Sequence, residues 1–186
     1  MKLDRGALRD RLSDTIIGTD RVYLGDFVAL LDLPGDITAA DHYRPGHLTA
    51  SGFVVSPDQT SVALVHHRKL HRWLQPGGHL EVGDADLEAA ARRELAEEIG
   101  LTGLTSFGIF DVDIHTFPAR RDTPEHLHFD IRFAFQSPTF ELLVLEGVND
   151  ARWVALQEME EYEVDESVLR PVGKLGEQLL SGSTRE

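Results

Sequence analysis

The chain has 186 residues, about one domain's worth, and its 41% hydrophobic and 27% charged residues exclude a disordered chain or a disulfide-dense miniprotein. It has no cysteine, which removes thiol nucleophiles, disulfides, iron–sulfur clusters and cysteine-ligated zinc and fits a reducing compartment. Eighteen basic against thirty-two acidic residues give a net charge of −14, a field that repels a nucleic-acid backbone.

Any metal must therefore be held by oxygen or histidine. The run Met1-Lys2-Leu3-Asp4-Arg5-Gly6 has no apolar signal-like core, and no stretch approaches the ~18–20 apolar residues of a membrane span. A cytoplasmic protein with neither nucleic-acid nor membrane partners is expected. Leu3, Ala7, Leu8, Leu12 and Ile16 recur at helical intervals until Gly18, and a second helix is predicted over Val22–Leu31, ending near Leu33-Pro34-Gly35-Asp36. We read residues 1–44 as a packed N-terminal helical extension and 45–186 as one compact domain.

From Leu48 the period changes. Thr49–Val55 and Ser61–His66 read as a hairpin around Ser56-Pro57-Asp58-Gln59. A long helix follows over about Asp86–Ile99, with Gly100 placed to end it. Three further strands are predicted at Ser106–Thr116, Leu127–Gln136 and about Phe140–Val154, the last interrupted by Gly147-Val148-Asn149-Asp150. In the second of these, Phe129, Ile131, Phe133 and Phe135 should enter the core, while His128, Asp130, Arg132 and Ala134 share the outward face. Ser167–Leu180 closes the chain as a helix with Pro171 near its first turn.

The chemistry concentrates in Gly77-Gly78-His79-Leu80-Glu81-Val82-Gly83-Asp84 and the helix after it. On that helix Glu94 stands at i,i+3 to Glu97 and i,i+4 to Glu98, so three carboxylates share one side and repel one another. Arg93, at i,i+4 to Glu97, relieves only part of this, since an exposed pair contributes ~0.3–0.5 kcal/mol. A divalent cation would do more, and all-oxygen ligation suits Mg2+ or Mn2+ and hence phosphate chemistry. By themselves three glutamates are more often a solvated face. The glycines shift that balance, because Gly77-Gly78 allows close backbone approach to a ligand or another segment.

These residues resemble the box of Nudix hydrolases, Gly-x5-Glu-x7-Arg-Glu-U-x-Glu-Glu-x-Gly-U, with U a bulky aliphatic residue. Gly78 matches the leading glycine, and Arg93-Glu94-Leu95-Ala96-Glu97-Glu98-Ile99-Gly100-Leu101 matches the whole second half. The likeness extends over about residues 47–160. In the first half Asp84 replaces the glutamate, and eight residues instead of seven separate it from Arg93. Asp84 substitutes for the missing acid, or Asp84 or Asp86 simply caps the helix; capping is preferred.

The resemblance implies an α/β fold, an α/β/α sandwich with a mixed central sheet, and hydrolysis of a nucleoside diphosphate linked to another moiety. It implies Glu94, Glu97 and Glu98 as metal ligands, Arg93, Glu97 and Glu98 as the catalytic set, and Gly77, Gly78 and His79 on the cofactor-binding loop. The general base is Glu97, Glu98 or an acid outside the box.

Other residues invite weaker readings. His126, His128 and Asp130 share a strand face that could hold a transition metal, although His79 and His128 better suit contact with substrate phosphate or hydrogen bonds within the cleft. Trp73 and Trp153 are expected in the core, Arg120 and Arg121 in a solvated basic loop. Pro118 falls near a proline that the resemblance associates with ADP-sugar cleavage, and also fits an ordinary loop.

The alternative function is a non-hydrolytic sensor of a nucleotide metabolite, which the complete glutamate half-box argues against. Isopentenyl diphosphate isomerisation shares the fold but commonly uses a cysteine that this chain lacks. A homodimer is expected from base rates alone.

Overall fold

The computed structural model of the protein describes residues 3–16 and 21–182. Helices α1 (Arg5–Thr15) and α2 (Arg21–Asp32) form the N-terminal extension. Asp4 caps α1 by accepting the Ala7 N–H at 3.0 Å. Leu8, Leu12 and Ile16, spaced by four, make the buried row; Ala7 lies off that row and is exposed. Gly18, expected to interrupt the first helix, lies outside the described residues. Arg5 ties the pair together by donating to the Leu31 carbonyl at 3.1 Å and to those of Leu33 and Gly35, acceptors that the end of α2 leaves without intrahelical donors. The Phe27 ring meets Phe129 edge-on at 5.4 Å, which anchors α2.

The hairpin strands are β1 (Gly46–Val55) and β2 (Ser61–His67), followed by two short strands, β3 (Arg72–Leu74) and β4 (Gly77–His79). Helix α3 (Leu87–Ile99) comes next, then β5 (Thr105–Phe117), β6 (His126–Gln136), β7 (Val148–Ala155), a 3-10 helix at Leu156–Tyr162 and α4 (Glu166–Gly182). The sheet runs β3-β2-β1-β6-β5, with β4 paired to β1 and β7 to β2. The Leu127 N–H donates to Pro45 at one end of β6 and the Ser137 N–H to Val55 at the other, so β1 and β6 run parallel. Strand β2 is antiparallel to β1, β3 and β7, which makes the sheet mixed.

Several elements depart from the sequence reading. The stretch expected as strand from Phe140 becomes strand only at Val148, because the N–H groups of Leu143, Leu145 and Glu146 are spent on the C-terminal carbonyls of α3. Strand β6 is buried on both faces, the polar residues included, since Asp130 and Arg132 find buried partners. Pro171 stands at the sixth residue of α4, near the first turn as expected.

The chain divides into two compact units, Met1–Ser51, Gly77–Ala91 and Gly108–Phe133 in one, Gly52–Pro76, Arg92–Phe107 and Ala134–Glu186 in the other. In the first, β4 lies against β1 with His79 opposite Thr49, Gly78 opposite Ala50 and Gly77 opposite Ser51. A Cβ built on Gly77 would fall 2.4 Å from Ser51 Cβ and 2.7 Å from its Cα, so only glycine allows this approach. Gly83 has open space. Gly77→Ala should therefore cost about 1–3 kcal/mol in urea denaturation, whereas Gly83→Ala should stay within ~0.5 kcal/mol of the native chain; equal effects would refute the packing argument.

Candidate active site and a histidine cluster

Helix α3 begins at a cap. Asp86 Oδ1 accepts the Ala89 N–H at 2.8 Å, satisfying one of the orphan donors of the first turn. Asp84 plays a different part, since its buried carboxylate accepts the Glu81 N–H at 2.7 Å and closes the loop before the helix. Of the two candidate caps, Asp86 is the one that accepts a first-turn N–H.

Along α3, Leu95 and Ile99 are buried and Glu97 is exposed, while Glu98 is only 8% exposed. Arg93 Nη1 donates to Glu94 Oε1 at 2.9 Å and to Glu97 Oε2 at 3.0 Å, drawing two of the three carboxylates to one guanidinium. Each carboxylate has two oxygens, so one contact to Arg93 does not exhaust its acceptor capacity. The donors are hard oxygens of one charge sign, a set that fits Mg2+ or Mn2+.

The far end of the helix is pinned from outside: the N–H groups of Glu146, Leu145 and Leu143 donate to the carbonyls of Glu97, Glu98 and Ile99 at 3.2, 3.1 and 3.0 Å. Gly100 ends the helix at φ +72°, and a Cβ there would meet Leu143 Cδ1 at 2.7 Å. The backbone beneath Glu97 and Glu98 is therefore fixed by both the helix and the segment crossing its end.

Gly77, Gly78 and His79 belong to the other unit, in which five imidazoles gather. His47, His126 and His128 are buried, and their rings lie 4.8–5.0 Å apart. The exposed His79 ring sits 5.0 Å from His47, and the His115 ring 5.2 Å from His128. Burial, reinforced by the repulsion of His79, lowers the His47 pKa to about 4; burial with the neighbouring His115 lowers that of His128 to about 2. Both rings are neutral at neutral pH.

Asp130 is not part of this group. Its carboxylate accepts the hydroxyls of Thr49 at 3.1 Å and Ser51 at 2.7 Å and the Arg132 Nε at 3.0 Å, which commits it to the strand interior. Of the His126, His128 and Asp130 face that could have held a metal, the structure gathers the two histidines with His47 and leaves the aspartate out. The sequence reading missed His47 because nothing local pairs the start of β1 with β6, some eighty residues on.

Arg132, 1% exposed, also reaches Asp111 at 3.1 Å and Asp113 at 3.0 Å. Burial opposes its charge, but Asp130, Asp113 and Asp111 outweigh that penalty and hold the guanidinium above its ordinary pKa.

The second unit contains a cleft of about 700 Å³ whose lining includes His66, His71, Arg72, Trp73, Arg152 and Tyr162. Trp73, expected in the core, is half-buried here, with the Tyr162 ring edge-on at 5.3 Å and the Arg152 guanidinium 5.4 Å from its centroid. Trp153 is also half-buried and donates Nε1–H to the Phe140 carbonyl at 2.9 Å. Arg120 and Arg121 are exposed as expected, with the Arg120 guanidinium over the Phe117 ring at 4.9 Å.

The sequence model of the NUDIX domain matches residues 46–172, more than half of the chain, and the chain belongs to the Nudix family. Its class is that of the Nudix hydrolases, with the α/β/α sandwich and mixed sheet of that fold. A NUDIX-family hydrolase from Clostridium perfringens is 25% identical, with a TM-score of 0.56 over 72% of this chain and 97% of its own. The Ap4A hydrolase of C. elegans, in a binary complex, is 17% identical with a TM-score of 0.54 over 73% and 98%. The NUDIX domain of Shewanella oneidensis NrtR, complexed with ADP ribose, is 18% identical with a TM-score of 0.56 over 87% and 99%. No curated relative matches the chain in sequence. Among the described residues no helix is long and apolar enough to cross a membrane.

Removing Arg132 would leave three carboxylates buried together. Arg132→Met should cost about 3–5 kcal/mol in chemical denaturation, and more than Arg93→Met, whose partner Glu97 is half exposed; a loss below about 1 kcal/mol at Arg132 would show that the carboxylates do not depend on it.

Proposed function

We propose that the chain hydrolyses a phosphoric anhydride bond in a nucleoside diphosphate linked to another moiety, with Mg2+ or Mn2+ held by Glu94, Glu97 and Glu98. The observation that carries this reading is the Arg93-tethered carboxylate group on α3, whose backbone is fixed at both ends. When bound, the cation offsets charge that builds on the phosphate oxygens in the transition state. Glu97 or Glu98, or an acid outside this helix, orients the attacking water and takes its proton as the water oxygen bonds to phosphorus. The phosphorus–oxygen anhydride bond breaks, and the electron pair leaves with the departing phosphate.

Arg93 keeps Glu94 and Glu97 in register and so acts on their positions. Gly77, Gly78 and His79, in the first unit, are assigned to cofactor binding. Trp73 and Arg152 in the cleft offer an aromatic face and a fixed cation, a pairing suited to a nucleobase and a phosphate. Support for a nucleotide substrate comes from the named ligand and substrate of two structural neighbours, ADP ribose and Ap4A. The proposed site of action is the cytoplasm, in keeping with a cysteine-free chain.

Incubating the native chain and Glu98→Gln with a nucleotide panel, with and without Mg2+, and resolving products by mass tests this reading. Mg2+-dependent cleavage is expected for the native chain, reduced ~10²–10⁴-fold in Glu98→Gln with an unchanged circular dichroism spectrum. Saturable binding without cleavage would favour the sensor, and full turnover in Glu94→Gln, Glu97→Gln and Glu98→Gln would remove these residues from the site.

A further inference from the structure

We propose that His47, His126 and His128 form a second metal site in the first unit, an imidazole site for Zn2+ or a similar borderline transition metal. It is chemically distinct from the carboxylates of α3 and does not depend on the function assigned to them.

Strand geometry builds the cluster. His126 and His128 are two residues apart on β6 and share one face. The Leu127 N–H donates to the Pro45 carbonyl at 2.9 Å, which brings the start of β1, and so His47, beside them. Ring nitrogens of the three residues lie within 4.8 Å of one another. His126 Nε2 and His128 Nε2 share a hydrogen bond at 3.1 Å; a metal would displace its proton, and the spacing is close to the roughly 3.3 Å that separates two nitrogens bound to one tetrahedral Zn2+ at ~2.0–2.1 Å.

The outer contacts set which nitrogens face inward. His126 Nδ1 lies 2.8 Å from the Pro124 carbonyl and His47 Nδ1 3.3 Å from the His42 carbonyl. A carbonyl can only accept, so in both rings Nδ1 carries a proton, and Nε2 is the nitrogen that the neutral ring offers to a metal. A ring N–H donated to a backbone carbonyl is the arrangement that orients metal-binding histidines. His47, fully buried, has no hydrogen-bond partner at Nε2, an unmet cost that a metal bond would remove. Three imidazole donors with no carboxylate among them favour Zn2+, Ni2+ or Cu2+ over Mg2+. Three protein ligands leave a fourth position open, on the pattern of catalytic more than structural zinc.

The test begins with the native chain, stripped with EDTA and titrated with Co2+ in the presence of excess Mg2+. One equivalent should bind, with the visible absorption of a near-tetrahedral Co2+ centre, and one equivalent of Zn2+ should displace it. His47→Gln and His126→Gln should each weaken Zn2+ binding by more than the ~10–100-fold that loss of an outer contact costs, while Glu98→Gln leaves the absorption unchanged. Imidazole 15N resonances of the native chain provide a readout that needs no variant, since three Nε2 signals must shift on adding Zn2+. Absence of stoichiometric Co2+ or Zn2+ binding, absorption that survives both histidine variants or is lost in Glu98→Gln, or shifts confined to other imidazoles would overturn the proposal.

Discussion

The first unit is organised around one buried guanidinium. Arg132 joins three aspartates from β5 and β6, and Asp130 carries the linkage on to two hydroxyls of β1. Such a network adds little net stability, because desolvating four ionised groups consumes most of the Coulombic gain. Its value lies in specificity: three carboxylates converge on Arg132, so a slip in register between these strands would break several buried charge pairs at once. The histidines at the start of β1 and β6 inherit their juxtaposition from that register.

In the second unit the equivalent constraint is backbone rather than charge. The end of α3 would ordinarily expose carbonyls to water. Here the segment after Thr139 supplies N–H groups to three of them, and glycine at position 100 lets the chain turn away without a clash against Leu143. A carboxylate helix with a loose last turn would present Glu97 and Glu98 over a range of directions. Pinned as it is, the turn holds the backbone that carries them.

The two groups of donors differ in chemistry as well as location. Carboxylates on a partly exposed helix, tied by Arg93, retain the hard-oxygen character suited to a cation that keeps waters and meets phosphate. In the histidine cluster, where burial holds His47 and His128 neutral, selectivity rests on nitrogen softness and on rings held by carbonyls.

Local sequence was enough to specify the hairpin of β1 and β2, the bounds of α3 to within a residue, its stop at Gly100 and the i,i+3,i+4 spacing of Glu94, Glu97 and Glu98. All of these depend on neighbours within a few residues, through periodicity, turn chemistry and positive φ. Strands β3 and β4, three residues each, are too short for alternation to reveal. Long-range packing settled the rest: the polar face of β6 is buried, Asp84 closes a loop while Asp86 caps, residues 143–146 serve α3 in place of a strand, and His47 completes a cluster with His126 and His128. Each of those outcomes depends on which distant backbone or side chain fills a hydrogen-bonding need, and that partner is chosen only when the strands pair.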